Sequence, residues 1–77
     1  MIWITSMITQ NSTIRLIDDE SITLNNDRIQ YVVRGGEFIE LYYASRLICL
    51  TYPGSKIARY KYPTIYTVID KDTFDLI

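Results

Sequence analysis

The chain has 77 residues and a formal net charge of −1, which allows one domain, residues 1–77, and gives no overall field toward nucleic acid or acidic membranes. Histidine is absent and Cys49 is the only cysteine, so an internal disulfide and a Cys/His zinc site are both excluded. No apolar stretch approaches the ~18 residues of a membrane span. We therefore expect a small domain without metal or cofactor, whose thin core makes a partner chain its natural supplement.

Residue usage predicts strands. Ile, Thr, Tyr, Val, Phe and Trp account for 34 of the 77 residues, whereas Ala occurs twice. β-Branched and aromatic side chains fit a pleated sheet and lose rotamer freedom in helices. No segment keeps an apolar helical period for long. We expect an all-β fold, a small antiparallel barrel or sandwich of five to seven short strands with little or no helix.

The chain begins with an apolar segment, residues 1–8, that carries no basic residue. A secretory signal has a positively charged start ahead of its apolar region, so this segment is a poor signal peptide. A single cysteine also fits a reducing compartment. We expect the protein to work in the cytoplasm, that of its own organism or that of an infected host.

Two short strands come next, and each is ended by residues that favour turns. The first is Thr13–Ile17, which the acidic run at 18–20 and Ser21 interrupt. The second is Ile22–Leu24, which ends at two asparagines and an aspartate, residues 25–27. Asparagine and aspartate tolerate left-handed backbone and bond to their own main chain, so both boundaries are predicted with a physical reason.

The clearest element is a hairpin from Arg28 to Tyr43 that turns near Gly35 and Gly36. A three-residue loop, residues 35–37, gathers an apolar set on one face: Ile29, Tyr31, Val33, Ile39, Leu41 and Tyr43. A two-residue loop mixes polar and apolar residues on both faces. Its one advantage is an exposed ion pair between Arg34 and Glu37, which contributes less than ~1 kcal/mol to stability. Since side chains alternate with period two, we predict the three-residue loop, with a bulge and a glycine at positive φ.

The run Leu47–Tyr52 is apolar on both faces of a strand. Such a strand must be covered on both sides. With no helix predicted to cover one side, the sheet must fold over on itself or pack against another chain. A strongly bent barrel, a small sandwich or a dimer through the sheet face would each satisfy this requirement.

The last third of the chain continues the strand pattern. Residues 52–55 place Pro and Gly at the centre of a type II turn, and Lys56–Tyr62 then alternates as a strand that Pro63 ends. Thr64–Ile69 is the next strand, and residues 74–77 are too short to classify.

Catalysis is poorly supported by the residues present. The chain has no histidine base, phosphate-binding loop or nucleophile motif. Cys49 lies in an apolar run and is best interpreted as a buried, inert thiol. The acidic clusters at 18–20 and 70–75 are interpreted as solvated turns. We expect a protein that is not an enzyme.

One segment suggests nucleic-acid binding as an alternative. Five residues in it are cationic or aromatic: Lys56, Arg59, Tyr60, Lys61 and Tyr62. Cations would neutralise phosphates and tyrosines would stack on bases. On a strand, however, Arg59 and Lys61 share one face while the two tyrosines share the other. An edge strand whose cations discourage pairing with other sheets explains the pattern better.

Seven tyrosines are too many for so small a core, so some must form a surface. Tyrosine and arginine are enriched where proteins bind one another. The predicted register places four candidates together: Arg28, Arg34, Phe38 and Tyr42. Our leading hypothesis is a non-catalytic protein-binding module that self-associates as a dimer, such as a viral (phage) inhibitor of a host protein. Nucleic-acid binding is the alternative, and no membrane partner is expected.

Overall fold

A computed structural model describes residues 11–57 and 61–77 of the chain, and the fold in these ranges is mostly β. It contains six strands, a short 3-10 helix at Asn26–Arg28 and one α-helix. The strands and the helix are β1 (Asn11–Arg15), β2 (Ser21–Asn25), β3 (Ile29–Arg34), β4 (Phe38–Tyr43), β5 (Arg46–Thr51), β6 (Thr64–Thr67) and α1 (Lys71–Leu76). The predicted fold class and strand number are confirmed, and the described strands form two sheets without closing into a barrel.

The strands β1 and β2 form an antiparallel hairpin of their own. Ile14 pairs with Ile22, and together with Leu24 they turn one face of this hairpin toward the core. The opposite face is polar, and there the hydroxyls of Thr13 and Thr23 lie 3.3 Å apart. This alternation is the period-two pattern of a sheet with one dry face.

The remaining strands form a sheet in the order β3-β4-β5-β6. The first three are antiparallel neighbours, whereas β5 and β6 run parallel. The prediction of a wholly antiparallel sheet was therefore wrong for this last pair. Parallel neighbours require a crossover connection, which here is the segment 52–63 between β5 and β6, and the structure describes residues 52–57 and 61–63 of it.

The register of the β3–β4 hairpin differs from the prediction. Val32 pairs with Leu41 and Arg34 with Ile39, so Val32 faces the core and Val33 does not. The physical reason is a bulge in β3 between Ile29 and Tyr31, which reverses the alternation along that strand. The three-residue loop was also wrong, because Gly35 N donates to Phe38 O at 2.8 Å and closes a shorter turn.

The glycines of this turn do not have the predicted backbone. Gly54 is the one glycine with positive φ, at 87°, and neither Gly35 nor Gly36 shares that conformation. Gly35 is needed for space instead, since a Cβ there would clash with the ring of Phe38. The type II turn predicted at residues 52–55 is confirmed by the φ of Gly54 and by the bond from Ser55 N to Tyr52 O, 3.2 Å.

The strand β5 is covered on both faces, as its sequence predicted. Ile48 and Leu50 lie on the side that faces the β1–β2 hairpin and belong to the main core. Cys49 points to the other side and is fully buried. The crossover covers that side, where Tyr62 is 7% exposed and bonds to Glu40, the partner of Cys49 in the sheet.

The C-terminal helix α1 was not predicted. Asp70 is its N-cap and accepts a hydrogen bond from Thr73 N at 2.7 Å. Phe74 and Ile77 are 0% and 1% exposed and complete the core between the two sheets. The strand predicted over Lys56–Tyr62 was wrong as far as the structure describes it, because residues 56, 57, 61 and 62 lie outside every strand.

Candidate functional site

The candidate site is the face of the four-stranded sheet that turns away from β1 and β2. Directly paired residues of antiparallel strands share a face, so Tyr31 lies beside Tyr42, and Val33 beside Glu40. The rings of Tyr31 and Tyr42 are 5.7 Å apart. We call this surface the tyrosine face and define it by five residues: Tyr31, Val33, Phe38, Glu40 and Tyr42.

Glu40 organises the tyrosine face. Its Oε2 accepts a hydrogen bond from the Tyr31 hydroxyl at 3.1 Å, and its Oε1 accepts one from the Tyr62 hydroxyl at 3.0 Å. The Nζ of Lys61 lies 3.7 Å from the same Oε1, and the Glu40 side chain is only 17% exposed. A carboxylate this shielded from water is stable only when its oxygens are bonded, and these partners meet that need.

The electrostatics of this cluster keep both hydroxyls protonated. Desolvation by burial, followed by the hydrogen bond to Glu40, raises the pKa of Tyr62 to about 12. The same causes in the same order raise the pKa of Tyr31 above its ordinary value. Both tyrosines therefore donate to Glu40 throughout the neutral range, which fixes the rings in place and suits a rigid binding surface.

A cleft of about 360 Å³ borders the tyrosine face where the β3–β4 turn meets the crossover. Its described lining consists of Gly36, Glu37, Phe38, Lys56, Ile57, Lys61 and Tyr62. The rings of Phe38 and Tyr62 are 6.2 Å apart. The cleft therefore combines two ammonium groups with an aromatic wall.

The other border of the tyrosine face is the outer edge of β3. In the described part of the chain, β3 pairs with β4 alone. Because Gly35 N bonds to Phe38 O, alternation directs the main-chain N–H and C=O of Val32 and Arg34 outward, away from β4. An open strand edge of this kind can pair with another strand.

The four residues predicted to bind a partner do not all lie together. Phe38 and Tyr42 are both on the tyrosine face, half buried. Arg34 lies on the opposite face, because it pairs with Ile39, so the prediction that it shares a face with Tyr42 was wrong. Arg28 belongs to the 3-10 helix ahead of β3 and is exposed.

Arg34 already has partners within the chain. Its Cζ lies 4.3 Å from the centroid of the Phe74 ring, and its Nη1 donates to the carbonyl oxygen of Phe74 at 3.2 Å. Its Nη2 lies 3.5 Å from Asp75 Oδ1. The guanidinium therefore holds α1 against the sheet, and a stacked, bonded arginine of this kind is a structural residue.

The residues predicted for nucleic-acid binding are also dispersed. Lys56 and Lys61 are exposed, but Tyr62 is buried against Glu40 and offers no open ring face for a base. Arg59 and Tyr60 lie outside the described residues.

Sequence reasoning missed Tyr31, Val33 and Glu40 as members of the site. The first two were assigned to the core, because the bulge that reverses β3 leaves no mark in the residue pattern. Glu40 did carry a signal, since it is the single charged residue in the strand Phe38–Tyr43. A carboxylate in an otherwise apolar strand needs donors, and tyrosines are the abundant donors in this sequence.

Comparisons of the chain with protein-family models, curated proteins and solved structures find no match. No helix within the described ranges is both long and apolar enough to cross a membrane. Across residues 11–57 and 61–77, no group of three or more Cys, Asp or Glu side chains is placed to hold a metal ion.

Proposed function

We propose that this chain is a small, non-catalytic protein-binding module that self-associates through the tyrosine face and the open edge of β3. The observation that carries the proposal is the Val33 side chain, 38% exposed, on a strand that pairs only with β4 among the described residues and lies next to the ring pair of Tyr31 and Tyr42. Backbone pairing along an edge supplies affinity, and tyrosine rings are frequent anchors of protein interfaces.

A second copy of the chain fits this surface. Two β3 strands that meet antiparallel about a two-fold axis satisfy each other's outward amides and carbonyls, so one surface serves both partners. Neither partner meets strong repulsion, because the net charge of the chain is −1 and Arg34 is paired with Asp75. For the biological role, we propose that the chain is a cytoplasmic viral protein that covers a surface of a host factor.

Val33→Lys tests the proposal. A cation at the centre of an edge strand opposes pairing with a second edge, and we expect the dissociation constant of the dimer to rise at least about tenfold. The introduced ammonium group lies across from Glu40, a favourable cross-strand pair, so the fold should survive. The measurement is mass by light scattering across a concentration series, with thermal unfolding as the check on folding.

Leu76→Lys is the matched control, because Leu76 is also an exposed aliphatic residue, 66% exposed, but lies on α1. It should dimerise like the parent chain. A parent chain that stays monomeric at millimolar concentration would contradict self-association. Salt-sensitive binding of labelled single-stranded RNA or DNA, lost in the K56Q/K61Q double variant, would support the nucleic-acid alternative instead.

A further inference from the structure

A second cleft opens between the two sheets, on the opposite side of the four-stranded sheet from the tyrosine face. Its volume is about 280 Å³ and its described lining consists of Ile22, Thr23, Leu24, Tyr43, Ala44, Arg46, Ile48 and Tyr66. Pockets for drug-sized ligands measure ~300–1,000 Å³, so this cleft, just below the lower end of that range, suits a smaller molecule.

The floor of this cleft is apolar. Leu24 and Ile48 are 2% and 6% exposed and belong to the main core, while Ile22, Tyr43 and Tyr66 pack against that core and are partly open. The Tyr43 hydroxyl accepts a hydrogen bond from Asn25 N at 2.9 Å, and its ring forms part of the wall of the cleft. The core of the protein is thus accessible from outside at this point.

The mouth of the cleft carries a cation. Arg46 is the first residue of β5 and pairs with Tyr43, which places its side chain on the core-facing side of the sheet. Its Nη2 donates to Thr64 Oγ1 at 3.3 Å, and no carboxylate of the described residues lies within 4.0 Å of its guanidinium. Arg46 is also the one charged residue among the described residues that line the cleft.

We propose that this cleft binds an aliphatic monocarboxylate of medium chain length, with the hydrocarbon between the sheets and the carboxylate on Arg46. A guanidinium binds a carboxylate through two parallel hydrogen bonds, and the Thr64 hydroxyl lies beside it as a further donor. A single cation at the mouth matches a single negative charge, and an apolar floor matches an alkyl chain. The site lies apart from the tyrosine face, so this proposal does not depend on the proposed function.

The experiment is a calorimetric titration of the full chain with hexanoate, octanoate and decanoate below their micelle-forming concentrations, and with decanol below its solubility limit. Affinity should rise roughly fourfold per methylene until the cleft is filled. Arg46→Gln should weaken decanoate binding about ten- to hundredfold and leave decanol unchanged. Arg28→Gln is the matched control, because it removes an exposed arginine outside the cleft.

Amide chemical shifts locate the ligand. Decanoate should shift the amides of the lining residues 22–24, 43, 44, 46, 48 and 66. The proposal is overturned if millimolar decanoate does not bind, if decanoate binding is insensitive to Arg46→Gln, or if the shifts fall on Tyr31 and Tyr42. Dimerisation measured by light scattering should be the same in the Arg46→Gln variant and in the parent chain.

Discussion

Glu40 joins the crossover to the sheet at a single side chain. Its two carboxylate oxygens accept from Tyr31 on the edge strand and from Tyr62 at the end of the crossover. Each bond is charge-assisted and lies at least partly out of water, where such bonds contribute more than neutral ones. The position of the tyrosine face is therefore coupled to the crossover, although the two are far apart in sequence.

Tyr62→Phe should lower the free energy of unfolding by about 1–3 kcal/mol, because it leaves one oxygen of a poorly exposed carboxylate without this donor. It should also change the response to alkali. The folded-state pKa of Tyr62 is about 12, against ~10 in the unfolded chain, so its stabilising contribution is complete below pH ~10 and disappears as pH rises toward 12.

Urea unfolding at pH 7 and across pH 9–12 measures both effects. The parent chain should lose stability steeply above pH ~10, and Tyr62→Phe should lose less over the same interval. Tyr66→Phe is the control, because no hydrogen bond of the Tyr66 hydroxyl occurs among the described residues, and its pH profile should match that of the parent. Equal alkaline loss in Tyr62→Phe and the parent would contradict the coupling.

The turn between β4 and β5 is built without glycine. Ala44 and Ser45 have φ values of 49° and 64°, the left-handed pair that a two-residue hairpin requires, and Tyr43 pairs with Arg46 on either side. L-residues other than Asn, Asp and Gly adopt this backbone at a cost of roughly 1 kcal/mol each. The residues of this tight turn are therefore poorly suited to its backbone conformation.

The double variant A44N/S45G should therefore stabilise the protein by about 1 kcal/mol, which raises the melting temperature by roughly 4–8 °C in a domain of this size. Ala44→Val should act in the opposite direction, because a β-branched side chain is unfavourable at positive φ. Differential scanning calorimetry measures both. Unchanged melting temperatures in the two variants would rule out this turn geometry.

Strand positions could be predicted from the sequence, because they depend on local composition and turn residues. The strand at Leu47–Tyr52 and the turn at Pro53 and Gly54 are such cases, since each is specified by adjacent residues. Which strands pair with each other, and in which register, was harder to predict. The bulge in β3 and the parallel pairing of β6 depend on contacts between distant segments, which leave no periodic pattern.

The helix α1 and the role of Arg34 were missed for a related reason. Six residues, Lys71–Leu76, are too few to show a helical period, although Asp70 as N-cap and the spacing of Phe74 and Ile77 were available signals. Arg34 was expected at a binding surface, but its partner Phe74 follows 40 residues later. Only the folded chain places these two residues together.

The two faces of the four-stranded sheet are covered by different segments of the chain. The β1–β2 hairpin and α1 cover the core face, while the crossover covers part of the other face. The segment that follows β1 is joined to the end of β6 by two contacts. Ile17 N donates to Thr67 O at 3.0 Å, and Leu16 forms a β-bridge with Val68. The core is thus closed by chain segments from both ends of the described sequence.

Phe74→Ala tests whether α1 is part of one cooperative core. The Phe74 ring is fully buried, lies 5.1 Å from the ring of Tyr52 and stacks under Arg34, so its removal should cost about 3–5 kcal/mol. A small domain has a free energy of unfolding of roughly 5 kcal/mol, so the variant should remain folded at low temperature with at most about 2 kcal/mol of stability and unfold partly at 37 °C. Leu76→Ala, on the exposed side of the same helix, should cost less than about 0.5 kcal/mol.

Native-state hydrogen exchange distinguishes global from local loss. If the core is one unit, Phe74→Ala should reduce amide protection in α1 and in the central strands β4 and β5 by the same free energy, because all of them exchange through global unfolding. Loss confined to residues 71–77, with β4 and β5 still protected, would contradict a single core. We expect the global result because Phe74 and Ile77 are buried in the same hydrophobic cluster as residues of both sheets.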